Sequence, residues 1–195
     1  LQERLQKLQQ IDLNKFCEEA SKELAARLLA LVIPRTPVGK KPKLQGKKTE
    51  KVIGASGKAK SFLTAEAARR EQYWGGYIGG TLRRGWIAKT EAEAESGTGS
   101  PTTTQAAEYA QSLPVQKSGD YYIVRVINPV EYASYVEFGH RQIPGRFVPA
   151  IGKRLKQGWA PGQYMLTLSE DDLERVAPAA LQKRLDKLLR EAFNG

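Results

Sequence analysis

The chain is poor in the residues that build metal centres and covalent staples. Its 195 residues include one cysteine and one histidine. That excludes a zinc site of four cysteines or of paired cysteines and histidines, an iron–sulfur cluster and an internal disulfide. A Ser-His-Asp arrangement has only His140 to draw on. Acids are scarce beside bases: 21 Asp and Glu stand against 31 Lys and Arg, a net charge of +10 with the histidine neutral. Long apolar runs are missing too. The stretch from Leu28 to Ile33 falls far short of the ~20 residues that span a bilayer, and no charged start leads into an apolar signal core. What is present suits one globular domain with appendages. At 41% apolar and 27% charged the composition is not that of a disordered chain, and the length suffices to bury a core without staples.

Residues 1–33 read as helix. Leu1, Leu5 and Leu8 mark a short stripe, and Asp12 is placed as an N-cap. Leu13, Phe16, Cys17, Ala20, Leu24, Leu28 and Leu31 then recur at helical spacing, with Pro34 and Pro37 as the stop. Cys17 lies on that stripe and reads as a packed, inert thiol. Residues 81–95 alternate, with Leu82, Arg84, Trp86 and Ala88 on one parity, and read as a strand with Glu91, Glu93 and Glu95 along its other face. Gln105–Leu113 reads as a brief helix, Tyr121–Ile127 as the clearest strand, and Val130–Phe138 as a short helix closed by Gly139. Residues 140–162 read as irregular and basic. Ser169 with Glu170, Asp171 and Asp172 resembles the start of the last helix, which Pro178 should kink. The expected class is α+β: a small antiparallel β-sheet packed by a long N-terminal helix and a C-terminal helix.

Residues 39–80 differ from the rest. Over 40–60, Lys40, Lys41, Lys43, Lys47, Lys48, Lys51, Lys58 and Lys60 face the single Glu50, a net of +7. Glycines interrupt the stretch and no period emerges, so it reads as a long mobile loop or extended arm inserted into the domain 1–195, with a short helix expected in Ser61–Arg70. Lysines without interleaved aromatics make a phosphate-tracking surface, and such an arm suggests contact with DNA or with a neighbouring protein ring; the alternative function it offers is a DNA-binding accessory protein acting through this arm. The segment Gly145–Gly158 is likewise basic, with Arg146, Lys153, Arg154 and Lys156 and no acid.

No phosphate-loop spacing is present: Gly57-Lys58 lacks both the upstream glycine and the following Ser or Thr. Three glutamates at 91, 93 and 95 are the one acidic constellation able to hold a divalent ion, with no nucleophile or base placed beside them. No catalytic residue, cofactor or metal site is expected.

Four short motifs occur in a fixed order. They are Arg35-Thr36-Pro37-Val38 after a long helix, Leu82-Arg83-Arg84-Gly85-Trp86, Asn128-Pro129-Val130-Glu131-Tyr132 running on to Phe138-Gly139-His140, and Pro161-Gly162-Gln163-Tyr164-Met165-Leu166 before a terminal helix. In this order the chain resembles the phage tail-component family of neck and tail-completion, head–tail joining proteins. The arm at 39–80 departs from the family pattern as an insertion. The resemblance implies a non-enzymatic virion protein, assembled in the bacterial host cytoplasm without a membrane. It further implies a homo-oligomeric ring, most often a hexamer, between a head-side connector or adaptor and a tail terminator or tail tube, with genomic DNA in its channel. Ring contacts call for exposed aromatics and arginines. The expected interface residues are Tyr132, Tyr135, Glu137, Phe138, His140, Arg141, Arg146, Phe147 and Trp159, with a local core under a loop as the alternative reading of the aromatics.

Overall fold

A computed structural model describes residues 12–43, 46–53 and 56–194. The expected stripe Leu1, Leu5, Leu8 lies outside the described residues. Helix α1 (Leu13–Arg35) begins where Asp12 accepts the Lys15 amide at 3.0 Å, as capping chemistry demands. Its buried side is made by Ala20, which the expected stripe included, and by Ala25, Leu29, Val32 and Ile33, which it did not; Leu13 is exposed and Phe16, Cys17, Leu24, Leu28 and Leu31 are half-buried. The burial stripe is therefore displaced from the expected one. The reason is that α1 packs on two partners, α5 (Thr103–Ser112) and the terminal helix α7 (Met165–Asn194), rather than on one sheet. Pro34 does not stop α1 but sits in its last turn. There a missing N–H costs one bond, and Arg35 completes the helix before Thr36 turns extended.

The core gathers Leu29, Val32, Leu82, Trp86, Ala88, Ala94, Ala106, Ala110, Val130 and Met165. α5 carries a complete capping box, in which Thr102 and Gln105 exchange side-chain and backbone bonds. Its Ala106 and Ala110 are fully buried, so the small side chains let α1 and α5 approach closely. α7 runs antiparallel to α1. Arg35 pairs with Asp172 at one end, and Arg184 reaches Glu23 at 2.7 Å and Glu19 at 2.5 Å at the other.

The expected strand over 81–95 is helical instead: α3 (Thr81–Arg84), a 3-10 turn (Gly85–Ile87) and α4 (Glu91–Ser96). The residues read as one face, Leu82, Arg84, Trp86 and Ala88, are nevertheless all buried, and Gly85 between them is buried as well. Changing helical pitch and then extending at Ala88 brings these four side chains inward as a strand would. Glu91, Glu93 and Glu95 accordingly form no strand face. Glu93 accepts the Lys89 amide at 2.8 Å, and Glu91 lies 3.3 Å from the Glu131 amide. Among the described residues no cluster of three His, Cys, Asp or Glu side chains is placed to hold a metal.

Among the described residues the strands pair as four antiparallel ribbons. β1 (Thr49–Ile53) pairs with β2 (Ala59–Leu63), and β3 (Val115–Ser118) with β4 (Tyr121–Val124). β5 (Gly139–Arg141) pairs with β8 (Trp159–Pro161), and β6 (Phe147–Val148) with β7 (Lys153–Arg154). The α+β class holds, with the sheet divided into ribbons. The 140–162 segment is thus folded by β5–β8 rather than irregular. The β3–β4 ribbon docks on α1 through Asn14, whose side-chain oxygen accepts from Lys117 at 2.6 Å and Tyr122 at 2.5 Å.

The arm at 39–80 is not a structureless loop. It holds the β1–β2 hairpin and helix α2 (Ala65–Trp74), capped by Thr64. Every residue of both strands is exposed, including Val52, Ile53, Phe62 and Leu63. The sequence conceals this hairpin because neither face alternates apolar with polar as a half-buried strand does. Among the described residues no helix is long and apolar enough to cross a membrane.

Candidate functional site

Three of the four ordered motifs converge inside the molecule. The Trp86 indole N–H donates to Thr36 Oγ at 2.7 Å, and that hydroxyl donates to the Val32 carbonyl at 2.8 Å. Arg83 donates to the carbonyls of Thr36 at 2.8 Å and Pro34 at 3.1 Å. The Asn128 side chain donates to the Leu82 carbonyl at 2.8 Å, and its oxygen lies so close to Gly85 that a Cβ there would collide with it.

Arg84 is 8% exposed and meets no carboxylate. Its guanidinium donates instead to the carbonyls of Ala94 (2.7 Å), Gly79 (2.8 Å) and Gly99 (3.2 Å) and lies 3.4 Å from the Thr81 hydroxyl. A buried cation is tolerable only when its donors are filled in this way. Gly80, at φ +79°, is required beside it, since a Cβ would sit 2.9 Å from the Arg84 Nη1. These motif residues make the fold: Thr36, Arg84 and Trp86 are buried, and Arg83 and Asn128 are half-buried.

The second half of the third motif and the fourth motif meet at a different place. Helix α6 (Ala133–Phe138) ends at Gly139, whose φ of +82° and close packing on Ala160 and Gly162 admit only glycine. The chain then returns through β8, and the amides of Gln163 and Tyr164 donate to Val136 at 2.8 Å and Glu137 at 3.0 Å. The Glu137 carboxylate accepts from the amides of Leu166 and Thr167, both at 2.9 Å, and from the Thr167 hydroxyl at 2.8 Å. A negative charge thus closes the amino end of α7, where the helix dipole favours it.

This geometry corrects two sequence expectations. α7 starts at Met165, one turn before Ser169, and Ser169 is buried with its hydroxyl on the Met165 carbonyl at 2.6 Å. Glu137, expected on an interface, is buried and fully engaged as a cap. Pro178 lies within a continuous α7, with exposed Glu174 one turn before it, so the carbonyl it leaves unbonded has solvent access.

Clamping α6, β5, β8 and α7 together holds a row of aromatic side chains outward. Tyr135 is 57% exposed, Phe138 60% and Trp159 53%. Tyr132, Phe147, Ile143 and Tyr164 are exposed as well. His140 stacks edge-on against Tyr135 with centroids 5.8 Å apart. Although Tyr132 is exposed overall, partial desolvation of its phenol, followed by the neighbouring Tyr77, Glu91 and Glu95, pushes that group above its ordinary range. Arg141 and Arg146 are exposed on the same connection. Eight of the nine residues expected at an interface therefore lie on the surface, and Ile143 and Tyr164 join them unforeseen. Tyr164 has a positive φ of 49°, forced by the sharp entry into α7.

The lysines of the arm divide differently. Seven are exposed and Lys41 is half-buried. Lys51 and Lys60 lie on the exposed hairpin, on opposite faces of its register. Lys43 lines a cleft between α2 and the 150–153 turn.

Searches of curated proteins and of solved structures return no match. A family described as "Bacteriophage HK97-gp10, putative tail-component" matches residues 1–139. The matched stretch takes in the buried Thr36–Arg84–Trp86–Asn128 node and ends at Gly139, so the Pro161–Leu166 motif and α7 lie beyond it. On that match, and on the motifs that build the core, the chain belongs to the HK97-gp10-like family of phage tail components.

Proposed function

We propose that this chain is a structural protein of the neck or tail-completion region. Copies close into a ring, six in the simplest arrangement, that joins the head-side connector to the tail terminator or tail tube during assembly in the bacterial host. The observation that carries this reading is the outward aromatic row at Tyr135, Phe138 and Trp159, held on a clamped and glycine-tight frame. Contiguous exposed aromatics on a rigid support mark a surface built to be covered. A head-to-tail contact that closes by rotation covers it in every copy. Segment 39–80, inserted in the domain, extends past the subunit body and contacts an adjacent ring. The role is architectural rather than catalytic.

Native mass measurement of the purified chain and of disrupted particles tests this reading. A closed ring in the particle is the expected result, including where the free chain is a monomer that rings only on its partner. Phe138→Ser with Trp159→Ser should weaken ring closure by about 100-fold or more. A half-exposed aromatic that becomes covered removes on the order of 100 Å² of apolar surface, or about 2–3 kcal/mol. A chain absent from particles, or a ring untouched by the double substitution, refutes the reading.

A further inference from the structure

The two acid-poor segments of the sequence, 40–60 and 145–158, come together in the fold. The Trp74 indole N–H donates to the Ala150 carbonyl at 2.6 Å, tying α2 to the 150–153 turn. Arg70 Nε donates to the Pro42 carbonyl at 2.8 Å, tying α2 to the start of the arm. Between these ties lies an open cleft of about 650 Å³ lined by Lys43, Glu66, Arg69, Arg70, Trp74 and Lys153, with Gly152 at its wall. Gly152 has φ +65°, and a Cβ there would come within 2.7 Å of Arg69 Nη1, so the guanidinium lies directly over bare backbone.

Four cations thus share one cleft with a single acid, Glu66, which leaves the cleft a surplus of three positive charges. Like charges held together by backbone ties raise the local potential, which mobile counter-ions must neutralise. A polyanion that displaces those ions gains their entropy of release. Guanidinium groups match phosphate oxygens with paired N–H donors. Both segments carry further exposed cations along the chain, among them Lys40, Lys47 and Lys48 in one and Arg154 and Lys156 in the other. A repeating phosphate chain satisfies them together, where one small anion does not. Among the described residues the cleft is lined by one aromatic, Trp74, whose N–H is bonded and whose ring meets Tyr77 edge-on at 4.9 Å. A lining of cations rather than of successive stacking rings favours a duplex backbone over single strands.

We propose that this cleft is a phosphate-binding site that engages the backbone of duplex DNA without reading its sequence. The test is fluorescence anisotropy of the full-length chain with a labelled duplex of about 20 base pairs, across a salt series from about 50 to 300 mM. Binding should weaken steeply with salt. Arg69→Gln with Lys153→Gln should lower affinity about ten-fold or more at low salt and reduce the log–log salt slope by about two. A control pair, Lys183→Gln with Arg190→Gln on exposed positions of α7, removes the same charge elsewhere. Tryptophan fluorescence checks that each variant is folded.

Equal loss from both pairs overturns the proposal, because net charge and not the cleft would then be binding. So does unchanged binding in the cleft variant. Binding of inorganic phosphate at matched ionic strength without duplex binding would make this a small-anion site, and binding of a polyglutamate peptide in place of duplex would assign it to an acidic protein partner. Ring formation is read separately by native mass, so failure here leaves the assembly reading untouched.

Discussion

Replacing Arg84 by lysine keeps the charge and most of the stem but removes the planar fork. In the native molecule three donors of that fork reach Ala94, Gly79 and Gly99 within 3.2 Å, and the residue is 8% exposed. An ammonium on a shorter, differently directed head satisfies one of these carbonyls. Ala94 and Gly79 are both buried, so at least one acceptor is left without a partner and out of reach of water. Each such loss costs about 1–3 kcal/mol, and the ammonium adds its own imperfect solvation. The expected destabilisation is about 2–4 kcal/mol, a large part of a total near 5–15 kcal/mol. With a urea slope of about 2–3 kcal/mol/M, the unfolding midpoint drops by about 1 M. Urea titration followed by tryptophan fluorescence and far-UV circular dichroism measures it, with coincident transitions as the check on two-state behaviour. A change below about 0.5 kcal/mol would show that solvent or a lysine contact replaces the fork at no cost, and the account of the motif as a buried carbonyl clamp would be wrong.

Three further outcomes are expected. Glu137→Gln puts an amide group against the donors of Leu166 or Thr167 and removes the charge at the α7 terminus. It should cost about 2–3 kcal/mol in urea unfolding, and a neutral result would show that the cap is dispensable. Deleting residues 49–63 and joining Lys48 to Thr64 by Gly-Gly uses ends already bonded at 3.1 Å. Since every residue of both strands is exposed, the melting temperature should move by no more than about 4 °C while particle completion fails. Normal particles from this deletion would sink the arm's role in assembly. The hydrogen bond from Arg27, against the cost of burial and aided by Arg184, holds the Glu23 carboxyl below its ordinary range. The unfolded chain then binds the proton more readily, so the stabilisation is present above the ordinary carboxylate value and is lost as pH falls through the folded one. Glu23→Gln should therefore be less stable than the native chain at neutral pH, by under about 1 kcal/mol for a partly exposed group, and equal to it once the pH has fallen below the folded-state value. A gap that persists in acid would assign the effect to packing instead.

The sequence by itself determined the Asp12 cap and the two long helices at either end. It also determined the α5 segment and the Gly139 stop. Each of these rests on local chemistry: a capping side chain, a helical repeat, or a residue tolerant of positive φ. The sequence leaves open whether the aromatics of 132–159 turn outward or pack under a loop. The burial of Leu82, Arg84, Trp86 and Ala88 was legible too, but not their conformation. A pattern of period two does not distinguish a strand from a helix that tightens and then extends. Tertiary structure alone decided that Arg84 turns inward, because its acceptors come from residues 79, 94 and 99 at once. The same holds for Glu137, which closes a helix that begins 28 residues later and so gives no local signal. It holds also for the meeting of the basic segments at Trp74 and Ala150, 76 residues apart. Caps and periods are written within one turn of chain, whereas a buried charge or a shared cleft depends on which distant carbonyls and cations the packed core brings together.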